Sequence, residues 1–259
     1  MPETATYIYC LIESGRRPST PGGARALRGL PSAAAPELLE VRPRLWAVAA
    51  RVPLSAYGSA RLEERLRDID WVAEIAVAHE AVVERFASAK GAAVVPMKLF
   101  TMFASPARAR SELAARLGEI DAVLKRIRGC REWGVRVTRS LPARPAKQAT
   151  APASGTAFLT AKKQERDDAR ERQRRASAAA EAAFASLSRL ARDAHRREAP
   201  AGATTPPLVD AAFLVADGRQ ARFKTAVRRA ARLCRDADAA LVLTGPWPAY
   251  NFVQAAERA

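Results

Sequence analysis

Short apolar runs alternate with longer amphipathic stretches along the first half of the chain. Runs rich in aromatic and β-branched residues and bounded by glycine or proline are typical of strands, whereas apolar residues at three-to-four spacing are typical of helices. The runs predict strands at residues 7–12, 45–52, 92–96 and 133–138. The three-to-four spacing predicts two helices within 55–89 and a third from Ser105-Pro106 to Gly129.

The limits of the third helix follow from its flanking residues. Ser105 is a residue type that caps helix N-termini, and proline is favoured at the first helical position after the cap. Gly129 ends the apolar periodicity and is a residue type that terminates helices. Residues 13–36, which contain a cluster of glycine and proline, are predicted to form a loop.

The second half of the chain follows a segment without periodicity. Residues 141–154 are rich in proline, alanine and polar side chains, which is typical of a linker. We therefore predict an N-terminal α+β domain over residues 1–140 and a smaller C-terminal α+β domain over residues 155–259. Within the second domain the pattern predicts a long charged helix over about 158–197, a strand at 208–215, a helix at 220–235 and a strand at 239–243.

The early half of the long helix is charged on all sides. From Lys162 to Arg175 no apolar residue is larger than alanine, so this stretch lacks the apolar stripe of a core-facing helix. Arg166, Arg170 and Arg174 follow at four-residue steps and share one helix face. We predict that this part of the helix is solvated and contacts a partner, with these three arginines as candidate partner-binding residues.

Composition and charge narrow the class of protein. The chain has 259 residues, 49% of them apolar and 27% charged, as in globular proteins. Its 43 basic and 27 acidic residues give a net charge of +16. Nucleic-acid-binding proteins concentrate basic residues on one face, often between aromatic side chains, whereas here arginines occur along the whole chain. A solvated basic surface is favoured, and a surface for nucleic acid or an acidic partner stays open.

Sequence features also bear on the cellular compartment. The three cysteines are too far apart in sequence to form a paired metal motif or a disulfide framework, which fits a reducing compartment. The N-terminus lacks the basic and apolar pattern of a secretory signal, so we expect a cytoplasmic location. Residues 239–256 carry no charge but are interrupted by glycine and proline, so no membrane span is expected.

The chain shows no recognisable catalytic or cofactor motif. His79 and His195 are its two histidines, and neither stands in a metal or nucleophile-base pattern. His79 lies on the apolar face of its predicted helix, which favours a core role, and His195 lies among arginines at a predicted helix end. No phosphate loop and no glycine-rich dinucleotide fingerprint occurs. We expect no enzymatic activity, no cofactor and no metal.

Four segments carry motifs that can be recognised as a set. Residues 245–253 read Gly-Pro-Trp-Pro-Ala-Tyr-Asn-Phe-Val, and residues 132–137 read Glu-Trp-Gly-Val-Arg-Val. Residues 96–103 read Pro-Met-Lys-Leu-Phe-Thr-Met-Phe, and residues 155–159 read Gly-Thr-Ala-Phe-Leu. In this order along the chain, the four segments resemble motifs of the gas vesicle protein family called GvpL/GvpF.

The chain departs from the family pattern at a few of these positions. Arg136 stands where the family usually has lysine, so the charge is kept. Phe100 stands at a glycine position of the family, and Cys10 replaces the glycine expected after a Tyr-x-Tyr sequence. Because glycine tolerates backbone conformations that other residues avoid, Phe100 requires either a different local backbone or a change of local packing.

The resemblance implies a fold and a role. The fold is an N-terminal domain of modified ferredoxin-like type followed by a smaller α+β domain with the long charged helix. The role is that of a noncatalytic accessory protein in gas vesicle assembly, or of a minor component of the vesicle wall. The implied partners are the small hydrophobic shell protein and other gas vesicle accessory proteins. The alternative is a basic, nucleic-acid-associated regulatory protein, although no strand carries the aromatic pattern of RNA-binding sheets.

The aromatic residues of the last motif have two possible roles. Trp247, Tyr250 and Phe252 could form an accessible patch that binds a partner, and we include them among the candidate partner-binding residues. The other interpretation is that they hold the C-terminal segment on the core, with Trp247 restricted by the flanking prolines. The core role is favoured for these aromatic residues, and for Trp247 in particular.

Overall fold

The computed structural model describes residues 3–19, 27–89, 91–140, 155–198 and 205–253. The described residues form an α+β protein with two sheets, of five and four strands. The predicted linker at 141–154 lies outside the described residues.

The elements are numbered in chain order. The strands are β1 (Thr4–Glu13), β2 (Glu37–Arg42), β3 (Leu45–Pro53), β4 (Ala93–Pro96), β5 (Met102–Phe103), β6 (Cys130–Arg139), β7 (Asp193–Arg196), β8 (Val209–Ala216) and β9 (Ala239–Trp247). The helices are α1 (Leu54–Tyr57), α2 (Ser59–Arg65), α3 (Ile69–Ala87), α4 (Pro106–Ala115), α5 (Leu117–Ile127), α6 (Gly155–Ser188), α7 (Gln220–Asp236) and α8 (Tyr250–Val253), and Asp217–Arg219 forms a 3-10 turn before α7.

The chain divides into two compact units. The first unit comprises Met1–Arg131 together with Trp247–Ala259, and the second comprises Glu132–Pro246. These limits differ from the sequence-based domains at 1–140 and 155–259. The difference arises because β6 belongs to the sheet of the second unit and the C-terminal segment belongs to the first. Such membership depends on long-range pairing, which composition does not reveal.

The first unit is built around β1. Its sheet has the order β2-β3-β1-β4, with β5 also pairing with β1, and β1 is antiparallel to β3, β4 and β5. All residues from Ala5 to Ile12 are buried, which fits a strand with neighbours on both edges and both faces covered. Helix α3 contributes its apolar face to this core through Ile75, Val82, Val83 and Phe86.

The second unit combines a four-stranded sheet with the helices α6 and α7. The strand order is β7-β8-β6-β9, and β7 is antiparallel to β8. Helix α7 buries Phe223, Val227, Ala230 and Cys234, which recur at helical spacing. The second half of α6 contributes small residues and Leu187 to the same core.

Most predicted elements are confirmed with shifted ends. Strands are present at all six predicted positions, in β1, β3, β4, β6, β8 and β9. The N-cap at Ser105 is also confirmed, because its Oγ accepts a hydrogen bond from the backbone N–H of Arg108 at 3.2 Å. Of the predicted loop at 13–36, the described residues from 14 onwards form no helix or strand.

Other predictions require correction. The long helix ends at Ser188 instead of continuing to 197, and His195 lies in strand β7 instead of at a helix end. Pairing of β7 with β8 supplies the backbone hydrogen bonds of this segment. The predicted helix from Ser105 to Gly129 is divided at Arg116 into α4 and α5, and the region 55–89 holds three helices, not two. The pattern did not predict β2, β5 and α8.

Candidate functional site

The described residues contain no arrangement typical of a metal site. Within the described ranges, no group of three or more His, Cys, Asp or Glu side chains is placed to hold a metal ion. Likewise, none of the helices in the described part of the chain is long and apolar enough to cross a membrane.

His79 is enclosed in the core of the first unit. Its Nδ1 lies 2.8 Å from the hydroxyl oxygen of Tyr7, and the ring also contacts Tyr9, with centroids 5.6 Å apart. The Tyr7 oxygen also accepts a hydrogen bond from the backbone N–H of Phe100 at 3.3 Å, so this hydroxyl group joins His79 to the backbone of Phe100. Burial lowers the pKa of His79 to about 4, and the backbone of Met97 opposes that shift only in part. The ring is neutral near pH 7 and has a structural role.

The C-terminal segment is fastened to helix α3 by a polar contact. The hydroxyl group of Tyr250 donates a hydrogen bond to Oε2 of Glu80. Burial raises the pKa of Glu80 above its usual range. The pKa of Tyr250 is also raised, mainly by burial and to a smaller extent by the Glu80 carboxylate. Both groups line a cavity of about 490 Å³ together with Met97 and Leu99. No sequence signal distinguishes Glu80, which lies on the edge of the amphipathic face of α3.

The three aromatic residues of the C-terminal motif differ in their exposure. Phe252 is fully buried and the guanidinium of Arg126 lies over its ring, 5.8 Å from the centroid. Phe252 is therefore removed from the partner-binding candidates, because no part of its ring faces solvent. Tyr250 is half-buried against the core. Trp247, for which the sequence favoured a core role, is 41% exposed.

Contacts within the second unit explain why glycine and arginine stand at positions 134 and 136 of the motif in β6. A Cβ atom at Gly134 would lie 2.5 Å from Oγ1 of Thr244, so a larger residue would clash. Arg136 donates from Nε and Nη2 to Oδ2 of Asp210 at 2.9 and 2.7 Å. Arg197 donates from Nε to the other carboxylate oxygen, Oδ1, at 2.7 Å. Asp210 thus joins β6 to the residue after β7. Arginine suits position 136 because two N–H groups of its planar guanidinium donate to the same carboxylate group.

The early half of α6 is exposed. Residues 158–172 are all exposed, including the apolar side chains of Phe158 and Leu159 at 52% and 68%. Arg166, Arg170 and Arg174 are likewise exposed. Arg170 lies 4.0 Å from Asp167 and Arg174 lies 3.5 Å from Glu171, which are weak pairs on the same helix. This part of α6 presents charge and two apolar side chains to solvent.

Comparisons with known proteins agree with the motif resemblance. The family described as "Gas vesicle synthesis protein GvpL/GvpF" matches residues 5–254. Gas vesicle protein L of Streptomyces sp. (strain CB03234) is 30% identical over 247 residues, which cover 92% of this chain and 88% of that protein.

Solved structures show the same fold. The crystal structure of the gas vesicle protein GvpF from Anabaena sp. PCC7120 has a TM-score of 0.66 at 14% identity and covers 97% of this chain and 96% of its own. GvpF from Microcystis aeruginosa has a TM-score of 0.63 at 13% identity, with 96% and 99% covered.

These findings identify the protein class. The two antiparallel-stranded α+β units define a fold shared with gas vesicle proteins of the GvpF type. The chain belongs to the GvpL/GvpF family of gas vesicle proteins.

Proposed function

We propose that this chain is a noncatalytic gas vesicle accessory protein that binds the hydrophobic shell protein and other accessory proteins. It acts in the cytoplasm during vesicle assembly, or stays at the vesicle as a minor component of the wall. The observation that carries this proposal is the family match over residues 5–254. Because the chain covers 88% of the related gas vesicle protein L, the comparison involves nearly the whole protein and not one shared module.

The physical requirement for such a role is a surface suited to an apolar partner. A shell subunit with an apolar face needs protection from nonspecific aggregation before it joins the wall. A protein that gives this protection needs accessible apolar side chains beside charged groups, as at the core and rim of interfaces. The exposed part of α6 offers Phe158 and Leu159 beside the charged stretch, and the first unit offers Trp247.

We assign the partner contact first to the face with Arg166, Arg170 and Arg174. A helix that is exposed along residues 158–172 gains little stability from packing, so its charged face is available to other uses. Trp247 and Tyr250 are the candidates for a second contact, since Phe252 is buried.

A deletion strain combined with a binding assay tests the proposal. We expect that a strain without this gene forms few or abnormal vesicles, and that the tagged protein co-sediments with vesicles and binds purified shell protein. Complementation with the unchanged gene is the control, and the binding result decides if a duplicated relative masks the deletion. Normal vesicles together with neither co-sedimentation nor shell-protein binding would contradict the proposal.

The alternative function is that of a nucleic-acid-associated regulatory protein, which the net charge of +16 favours. Binding to mixed RNA and to duplex DNA should be measured at physiological salt and then at higher salt. A nonspecific phosphate contact falls steeply as salt is raised, and we expect only this behaviour. Affinity that persists and depends on nucleotide sequence would favour the regulatory alternative.

A further inference from the structure

A groove runs between α6 and α7 on the surface of the second unit. It has a volume of about 1180 Å³. Its floor consists mainly of alanines from both helices, among them Ala179, Ala183 and Ala226. The two helices approach closely below it, where the Sγ of Cys234 lies 3.9 Å from the carbonyl oxygen of Ala179. Small side chains on a groove floor allow the backbone of a further helix to approach closely.

The sides of the groove differ sharply from its floor. Four arginines line it, Arg189 from just after α6 and Arg222, Arg229 and Arg232 from α7, and no acidic residue among those described does. Within the described part of the chain, none of these four arginines forms an ion pair. Helix α7 itself contains six basic residues and one acidic residue. The uncompensated positive charge therefore favours an acidic occupant.

An apolar side chain in the groove indicates that the bound partner also has an apolar face. Leu233 lines the groove and is 55% exposed, so it adds an apolar side chain beside the arginines. Arg222, Ala226, Arg229 and Leu233 recur at three-to-four spacing and form a second face of α7 beside its buried one. Arg222 and Leu233 are separated by roughly 16 Å along the helix, about three helical turns.

From these observations we propose that the groove between α6 and α7 binds an amphipathic, acidic helix of a partner protein. The apolar side of that helix packs on the alanine floor and Leu233, and its carboxylates meet the four arginines. A single-stranded nucleic acid fits less well, because none of the described residues that line the groove has an aromatic side chain on which a base could stack. This site is distinct from the early half of α6, so it adds a second interaction surface to the proposed function.

The test uses a labelled synthetic helix as the probe. The peptide is about five helical turns long, with leucine and alanine on one face and glutamate on both flanks. A second peptide, with lysine in place of glutamate, serves as its control. We expect the acidic peptide to bind the full-length protein, measured by fluorescence anisotropy, and the basic peptide not to bind. No binding of the acidic peptide would overturn the proposal.

Two pairs of substitutions on α7 separate local from general charge effects. R222E/R229E removes two groove arginines, and R228E/R235E changes two exposed arginines that do not line the groove. Both pairs are seven residues apart and change the net charge equally. We expect affinity to fall by about tenfold or more for the first pair and by less than about twofold for the second. Equal losses for the two pairs would overturn the groove as the binding site.

A steric variant tests the apolar part of the proposal without changing charge. Ala182 lines the groove and is exposed, so A182F should obstruct the groove while leaving the core intact. A185F, at an exposed position of α6 that does not line the groove, is its matched control. We expect only A182F to weaken peptide binding. Unchanged binding to A182F, or displacement of the peptide by RNA in preference to the unlabelled peptide, would overturn the proposal.

Discussion

The hydroxyl group of Tyr250 donates a hydrogen bond to the carboxylate of Glu80, 170 residues earlier in the chain. Through this bond the C-terminal motif is held on helix α3. The other carboxylate oxygen of Glu80, Oε1, is buried and has no hydrogen-bond partner among the described residues. The Tyr250 hydroxyl is therefore the principal compensation for placing this carboxyl group away from water.

Replacing Tyr250 by phenylalanine should destabilise the protein by about 1–2 kcal/mol. The substitution keeps the ring but leaves the Glu80 carboxyl group without its donor. The free energy of unfolding should be measured by urea denaturation. The double variant Tyr250→Phe/Glu80→Met removes both polar groups and should recover part of the loss. A Tyr250→Phe protein as stable as the unchanged one would show that the bond contributes nothing.

The buried His79 should make stability depend on pH. Its pKa in the folded protein is about 4, below the usual 6.5, so the unfolded chain binds a proton first as the pH falls. The resulting stability is present above about pH 6.5 and is lost as the pH falls toward 4, by on the order of 3 kcal/mol. Glu80 acts in the opposite direction, because its pKa is raised and its ionisation at higher pH disfavours the folded state.

The measurement compares urea unfolding at pH 7 and pH 5 for the Glu80→Gln protein with and without His79→Gln. We expect the loss at pH 5 to shrink when His79 is absent. NMR titration of the two histidine rings provides a direct check, with the His195→Gln variant used for assignment. A resonance of His79 that titrates near pH 6.5 in the folded protein would contradict the burial argument.

Phe252 and Trp247 should differ in their contribution to stability. Phe252→Ala removes a fully buried ring and should cost about 3–5 kcal/mol. Trp247 is 41% exposed, so Trp247→Ala should cost only about 1–2 kcal/mol. Thermal unfolding of the two variants side by side makes the comparison. Equal and large losses would restore the core role that the sequence favoured for Trp247.

Phe100 adopts a backbone conformation that suits glycine. Its φ angle is 64°, and its ring stacks on Trp71 with centroids 5.8 Å apart and planes inclined by 11°. The family pattern has glycine at this position. The φ angle of Phe100 lies in the left-handed region, which glycine adopts more readily than other residues. Phe100→Ala should lose the stacking and keep the strain, so Phe100→Gly should be more stable than Phe100→Ala by about 1 kcal/mol. Denaturation of both variants gives this difference, and a less stable glycine variant would refute it.

Charge reversal on the early half of α6 should separate binding from stability. The triple variant Arg166→Glu/Arg170→Glu/Arg174→Glu changes exposed side chains, whose ion pairs contribute about 0–1 kcal/mol each at most. We expect the melting temperature to stay nearly constant and shell-protein binding to weaken. The corresponding triple lysine variant keeps the charge and should bind normally. A large fall in melting temperature would mean that this face is packed.

Much of the local structure was determined by the sequence itself. The apolar run at 7–12, the periodicity of α3 and the cap at Ser105 each reflect interactions within a few residues, and each prediction is confirmed. The motif at 245–253 likewise indicates the family from its residues alone. Local signals of this kind need no knowledge of distant partners.

Which elements and side chains come together depends on contacts between residues far apart in the chain. After Ser188 the helical spacing of apolar residues continues through Leu190, Ala191 and Ala194, yet this segment forms β7 because its backbone pairs with β8. Arg136 meets Asp210, which lies 74 residues further on, and Tyr250 meets Glu80 across 170 residues. The burial of Phe252 agrees with the favoured core role of the C-terminal aromatic residues, whereas the 41% exposure of Trp247 differs from it. Burial and strand pairing depend on which distant part of the chain covers a residue, and the neighbouring sequence does not predict that contact.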